Sequence, residues 1–203
     1  MKKLVYGVGI SENGKFKRSM TVNGRSRKTP EYELWKNMLA RCYSPVMHKR
    51  RPNYIGCTVS DNFKNFQWFA EWCQTQTGFG LKDYQLEKDI LIKGNKLYSE
   101  HTCRFVPNSL NMLLTKSDAA RGDYPIGVHS HQNGYVAHCG NTARSRSTKG
   151  KGYIGIYSTP EAAFAAYKKQ KEELIRAAAL EHKDVISADV FEALLRYEVE
   201  ITD

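Results

Sequence analysis

Long apolar runs are missing from this chain of 203 residues, and so is any closely spaced cysteine pair. No stretch reaches the roughly 20 apolar residues that a membrane-spanning helix needs. The basic start Met1-Lys2-Lys3 is followed by no apolar block, so it is not read as a signal peptide, and the expectation is a soluble, cytoplasmic protein with no membrane partner. The five cysteines are Cys42, Cys57, Cys73, Cys103 and Cys139, and none stands in a C-x-x-C pair. That spacing excludes the usual zinc knuckle and suits core thiols in a reducing compartment. No glycine-rich phosphate loop, nucleophile elbow or dinucleotide fingerprint occurs, which leaves a small-molecule enzyme without support. Internal repeats and low-complexity tracts are lacking too.

Acidic residues are scarce in two regions. Residues 1–60 hold thirteen Lys/Arg against three acids, and residues 124–160 hold four Lys/Arg and no acid. The centre, 61–123, carries eight of each sign, while 161–203 carries six Lys/Arg against ten acids, within a net charge of +10. Clustered positive charge with aromatic residues among it suits a polyphosphate partner, because binding releases condensed counterions. Hydrophobic residues make up 41% of the chain, enough for a packed core.

Local patterning predicts an α+β fold. Residues 1–28 read as a basic arm or hairpin with candidate turns at Asn13-Gly14 and Asn23-Gly24. Thr29-Pro30 opens a helix whose apolar stripe is Leu34, Trp35, Met38, Leu39 and Cys42. A basic loop with His48, Lys49, Arg50 and Arg51 follows, then a short strand at Thr58 and Val59. Ser60-Asp61 caps a further helix bearing Phe63, Phe66, Phe69, Ala70 and Cys73. Residues 84–98 read as two strands turning at Lys93-Gly94-Asn95, followed by a short helix after Pro107, a ββα order. After a polar linker at 118–123 come strands at Tyr124–Ser130, Tyr135–Gly140 and Gly152–Tyr157. Ser158-Thr159-Pro160-Glu161 starts a long helix, and a last helix spans about Ala188–Arg196.

The second half carries a resemblance. Gly127-Val128, Gly134-Tyr135-Val136-Ala137, Tyr153-Ile154-Gly155-Ile156-Tyr157, Thr159-Pro160-Glu161-Ala162-Ala163 and Ala166-Tyr167 occur in the order seen in the AP2 domain. The resemblance covers about residues 124–180 and implies a three-stranded antiparallel sheet packed on a helix. Its free face would enter the major groove of double-stranded DNA. Candidate contacts on that face are His129, His131, Tyr135, His138 and Tyr153, with Arg144, Arg146, Lys149 and Lys151 on phosphates. Family members commonly carry arginines on the first strand, where this chain has His129 and His131.

Residues 32–116, within a region spanning 29–117, resemble phage HNH-type homing endonucleases, which often carry an AP2 domain. The residues are Trp35–Tyr43, Tyr54–Val59, Phe66–Trp72, Leu86-Glu87-Lys88-Asp89, Gly94-Asn95, Tyr98 and Cys103-Arg104-Phe105. The resemblance implies a metal-dependent endonuclease or nickase using Mg²⁺ or Mn²⁺. Lys88, Asp89 and His101 are its candidate catalytic residues, and Glu87, Asp89 and Asn111 its candidate metal ligands. Lys88 stands where the family has its histidine, and Thr102 where it has an asparagine. Lys49, Arg50 and Arg51 would hold DNA backbone.

A catalytically inactive HNH-like regulator, or a host-takeover or counter-defence protein, stands beside that reading. Its acidic tail, 181–203, would meet a host protein. An RNA-binding protein is a third possibility, since basic charge and exposed aromatics permit it.

Overall fold

The computed structural model describes residues 4–115, 122–140 and 152–203. The fold is α+β, and the chain divides into two compact units, Met1–Val106 and Pro107–Asp203. Among the described residues no helix is long and apolar enough to cross a membrane.

Thr29 organises the start of the first unit. Its hydroxyl accepts the Tyr32 N–H at 3.4 Å and donates to the Lys17 carbonyl at 2.8 Å. It thereby caps helix α1 (Pro30–Tyr43) and ties down the ribbon of strands β1 (Ser19–Val22) and β2 (Arg25–Lys28). The two strands pair antiparallel about Asn23-Gly24, whose φ values of +50° and +72° suit a tight hairpin turn. Asn13-Gly14, the other candidate turn, joins no strands.

Helix α1 buries Trp35, Met38, Leu39, Ala40 and Cys42, and Ser44 then caps helix α2 (Pro45–Arg50). Beyond strand β3 (Thr58–Val59) the periodicity predicts one helix, but the structure has two. Helix α3 (Asp61–Lys64) stops at Asn65, and helix α4 (Phe66–Gln74) starts afresh. Asn65 causes the restart, because its side chain accepts the N–H groups of Gln67 and Trp68 at 2.9 and 3.4 Å. The N-terminal segment fills the break: the Ile10 N–H donates to the Lys64 carbonyl, and the Phe66 N–H to the Ile10 carbonyl. Gly9 lies so close to Leu39 and Trp35 that a side chain there would strike both. Trp35, Phe63, Phe66, Phe69 and Trp72 form the aromatic core, with the Trp35 Nε1 donating to the Phe63 carbonyl at 2.7 Å.

The hairpin expected over 84–98 does not form. Strand β4 (Tyr84–Glu87) pairs with strand β6 (Arg104–Pro107), and strand β5 (Leu97–Tyr98) runs parallel to β3. One side chain replaces the missing ladder. The Asn95 carboxamide donates to the carbonyls of Lys88 at 2.8 Å and Leu97 at 2.7 Å, and accepts the Leu97 N–H at 3.0 Å. Backbone groups that a hairpin would have satisfied across the strands are satisfied by that amide instead.

The second unit begins with helix α5 (Asn108–Leu114), the helix expected after Pro107. Strands β7 (Val128–His131), β8 (Gly134–His138) and β9 (Tyr153–Tyr157) make a three-stranded antiparallel sheet in that order. Helix α6 (Pro160–Glu181), capped by the Thr159 hydroxyl, packs on one face of it through Ala163, Phe164 and Tyr167. Gly127 explains part of the pattern. Its φ is +77°, and a Cβ there would overlap the Tyr167 ring, so the strand entry closes directly on the helix. Helix α7 (Ala188–Leu195) buries Val190 and Leu194. The tail returns to α6, where Glu172 accepts the Val199 N–H at 2.9 Å and Lys168 donates to the Val199 carbonyl at 2.7 Å. Most of the expected linker, 118–121, lies outside the described residues.

Gly127→Ala tests that closure. Positive φ and overlap with Tyr167 together should cost about 3 kcal/mol or more in denaturant unfolding. Gly24→Ala, also at positive φ but with nothing within 4 Å, should cost only about 1 kcal/mol. Equal losses at both positions would show that Tyr167 packing is not the constraint.

Candidate nucleic-acid interface and acidic site

The sheet of the second unit has two unlike faces, and cross-strand register assigns them. Val128, Ala137 and Gly155 form one row, and Ser130, Tyr135 and Tyr157 the next; Val128, Tyr135, Ala137 and Tyr157 pack in the cluster beneath α6. The alternate row is His129, Val136 and Ile156, flanked by His131. A bulge between Ala137 and His138 pairs His138 with Tyr153 and leaves Ile154 as the extra residue, which packs inward. That irregularity keeps Tyr153 on the outer face beside His138. His129 and His131 are exposed, Tyr153 is 55% exposed, and His138 is half-buried.

Four candidates, His129, His131, His138 and Tyr153, therefore share one face. Tyr135 does not join them, contrary to expectation. Its position in the alternation turns it to the helix side, where its ring meets Tyr124 edge-on at 5.3 Å. Arg144, Arg146, Lys149 and Lys151 lie outside the described residues, in the segment joining β8 to β9. In the first unit Lys49, Arg50 and Arg51 are exposed at the end of α2, while His48 turns back so that its Nε2 lies 2.9 Å from the Arg41 carbonyl.

The candidate catalytic segment follows β4. Lys88 is only 7% exposed, with its Nζ 3.1 Å from an Asp89 carboxylate oxygen and 5.9 Å from the centre of the Tyr98 ring. Glu87 folds back to accept the Lys88 N–H at 2.8 Å. Burial, then the hydrogen bond and charge of Asp89, push the Glu87 carboxyl up to about 7. Burial also acts to raise Asp89, but the Glu87 hydrogen bond and the Lys88 ammonium hold it below its ordinary value. The two carboxyl groups thus share a proton around a buried ammonium.

Nothing in the sequence assigns Arg41 a role, and Tyr98 enters there only within the HNH-like pattern. Arg41 hydrogen-bonds Tyr98 and lies 5.4 Å from the Tyr54 ring centre, and the Tyr98 phenol is pushed well up by burial despite that cation. The i, i+3 spacing of Arg41 from Met38, on the buried side of α1, was the available signal.

His101 stands apart from this network. The His101 side chain is 87% exposed, and its nearest acid is Glu100, at 4.0 Å. Glu100 is itself held by the Ser60 hydroxyl at 2.9 Å and the Asn62 amide. Asn111 belongs to the second unit, in α5. Thr102 is buried in a turn, donating to the Leu97 carbonyl and contacting the Ser99 hydroxyl, both at 2.9 Å. Among the described residues no three His, Cys, Asp or Glu side chains converge as a metal site. The donor set present suits an ammonium ion: Lys88 already compensates the carboxylate that Mg²⁺ or Mn²⁺ would require.

Comparison with known protein families, with curated proteins and with solved structures gives no match to the chain.

The shared proton has a measurable consequence. The folded state holds the Glu87 proton more tightly than a carboxyl of ordinary value 4.5, so its stabilisation is full below that value and is lost as pH rises through about 7. Wild-type stability should therefore fall from about pH 5 to about pH 8, and Glu87→Gln, which keeps a donor to Asp89 but does not titrate, should flatten that fall. Unfolding midpoints measured across this range give the comparison; identical slopes would remove Glu87 from the network.

Proposed function

We propose that the protein binds double-stranded DNA through the outer face of β7–β8–β9, and that the Glu87-Lys88-Asp89 segment serves its fold. One observation carries the reading: α6 packs on one face of the sheet, and on the opposite face, around the buried Val136, His129, His131 and Tyr153 are exposed. The same stretch of sequence, 124–160, has four cations and no acid. A face of this kind offers imidazole and phenol groups to base edges and sugars, while the adjoining basic segment supplies phosphate contacts. Lys88 supports the noncatalytic half of the proposal, since a buried ammonium paired to Asp89 competes with a divalent cation for that carboxylate.

Anisotropy titration of a labelled DNA duplex over a salt series tests the binding. His129→Ala combined with Tyr153→Ala should weaken affinity about tenfold or more, the scale of losing one or two groove contacts. Tyr135→Phe, altered on the helix side, should leave affinity unchanged. Loss in Tyr135→Phe without loss in the double variant would place binding elsewhere. Supercoiled plasmid incubated with Mg²⁺ or Mn²⁺ tests the chemistry: it should stay intact. Nicking that disappears in Asp89→Ala would replace this reading with a metal-dependent endonuclease.

A further inference from the structure

We infer that the β1–β2 ribbon is a second DNA-binding element, laid in the major groove with Arg25 and Arg27 facing the nucleic acid. This inference rests on the duplex-DNA reading above and assigns a surface in the other unit to the same partner.

Both strands of the ribbon are exposed along nearly their whole length, with only Val22 half-buried. A two-stranded hairpin without an apolar face is marginal by itself in water. This one is held at its base by backbone and cap bonds: the Thr29 N–H donates to the Arg18 carbonyl at 3.1 Å, and the Thr29 hydroxyl to Lys17. The ribbon is thus anchored to the start of α1 rather than packed on a core, and among the described residues its side chains stand exposed.

The register sorts those side chains. Met20 pairs with Arg27 and Val22 with Arg25, giving one face with two arginines two residues apart and two apolar side chains opposite them. Ser19, Lys28, Thr21 and Ser26 form the other face. From Asn13 to Pro30 the sequence has six cations and no acid. Lys15 is engaged with Glu71 at 3.1 Å, and Arg18 hydrogen-bonds Asn13, but Arg25, Arg27 and Lys28 have no acidic partner among the described residues.

Charge complementarity therefore selects a polyanion, and shape selects among polyanions. A two-stranded ribbon fits the major groove of B-form DNA, about 12 Å wide, whereas the major groove of A-form RNA is too deep and narrow for it. Arginines two residues apart on one face lie about 7 Å apart, close to the phosphate spacing along a strand.

The test compares full-length wild type with Arg25→Ala/Arg27→Ala. Both positions are exposed, so the thermal unfolding of the variant should match wild type. Duplex affinity at about 0.1 M salt should fall about tenfold or more, and the slope of log K against log salt should drop by about two. An affinity and slope equal to wild type, in a protein that still binds DNA and still loses affinity in the sheet variant, would overturn the ribbon alone. A wild type that binds no duplex would overturn the reading beneath it as well. An iron chelate attached at Ser26→Cys supplies the position; the five native cysteines are buried and leave the introduced thiol the accessible one. Cuts confined to a few adjacent nucleotides of bound duplex support the assignment. Diffuse cutting like that of free chelate, or equal loss of affinity for an RNA duplex, overturns it.

Discussion

A lysine ammonium withdrawn from water has to be compensated, and much of the chemistry of the first unit follows from that requirement. Lys88 is nearly buried, and an uncompensated charge there would cost several kcal/mol. Asp89 supplies the counter-charge at 3.1 Å. Glu87, buried and beside Asp89, cannot ionise freely, so it keeps a proton to a higher pH than an ordinary carboxyl. Tyr98 lies beneath the ammonium and also receives a hydrogen bond from Arg41. The path from Glu87 to α1 is therefore a chain of polar groups, each fixed by the next. The Asn95 amide closes the loop that carries them, by gripping the carbonyls of Lys88 and Leu97 together. A histidine at position 88 could be neutral and would impose none of this. The lysine is compatible with the fold because its neighbours have been committed to it.

The second unit solves a different problem. A three-stranded sheet has two faces, and one helix covers only one of them. Gly127 and the small Ala137 let α6 approach closely, so the covered face is built from near contacts. The other face keeps histidines and tyrosine, which are stable in water and able to meet a polar ligand. The bulge after Ala137 matters to this division. Were Ile154 to continue the regular alternation instead of bulging, Tyr153 would turn toward the helix and leave His138 without its outer neighbour.

Elements with local causes were legible in the sequence. Thr29-Pro30, Ser60 and Thr159 cap helices where they were expected to, because capping depends on a few adjacent residues. The strands at 128–131, 134–138 and 153–157 follow from alternation and turn residues close in sequence. Failures came where a distant group took over a local role. Asn65 splits a continuous helical stripe because Ile10 supplies backbone partners from 55 residues away. The 84–98 hairpin looked plausible from Gly94-Asn95, but β3 and β6 captured its two strands. Tyr135 sits on the helix side rather than on the outer face, because strand parity, not aromatic character, decides which way it turns. In the sequence Arg41 is one cation among many in a basic region; only the fold brings it to Tyr98.

The same contrast bears on how charge is used. A net charge of +10 counts Lys88 and Arg41 equally with Arg25 and Arg27, yet the two pairs have opposite fates. The first pair is drawn into the protein, paired with acid or phenol, and contributes little field at a distance. The second stands in water on strands that bury almost nothing, where a cation is solvated at no folding cost and retains its attraction for a phosphate. Charge relevant to a nucleic-acid partner is therefore the charge left after internal pairing is subtracted. By that measure the β1–β2 ribbon contributes more than any neutralised central segment of the chain. On the proposed reading, the unpaired arginines of the ribbon and the histidines of the sheet, each within its own unit, take separate tasks. The arginines supply attraction that weakens with salt, and the sheet supplies contacts whose geometry is fixed by the helix behind it.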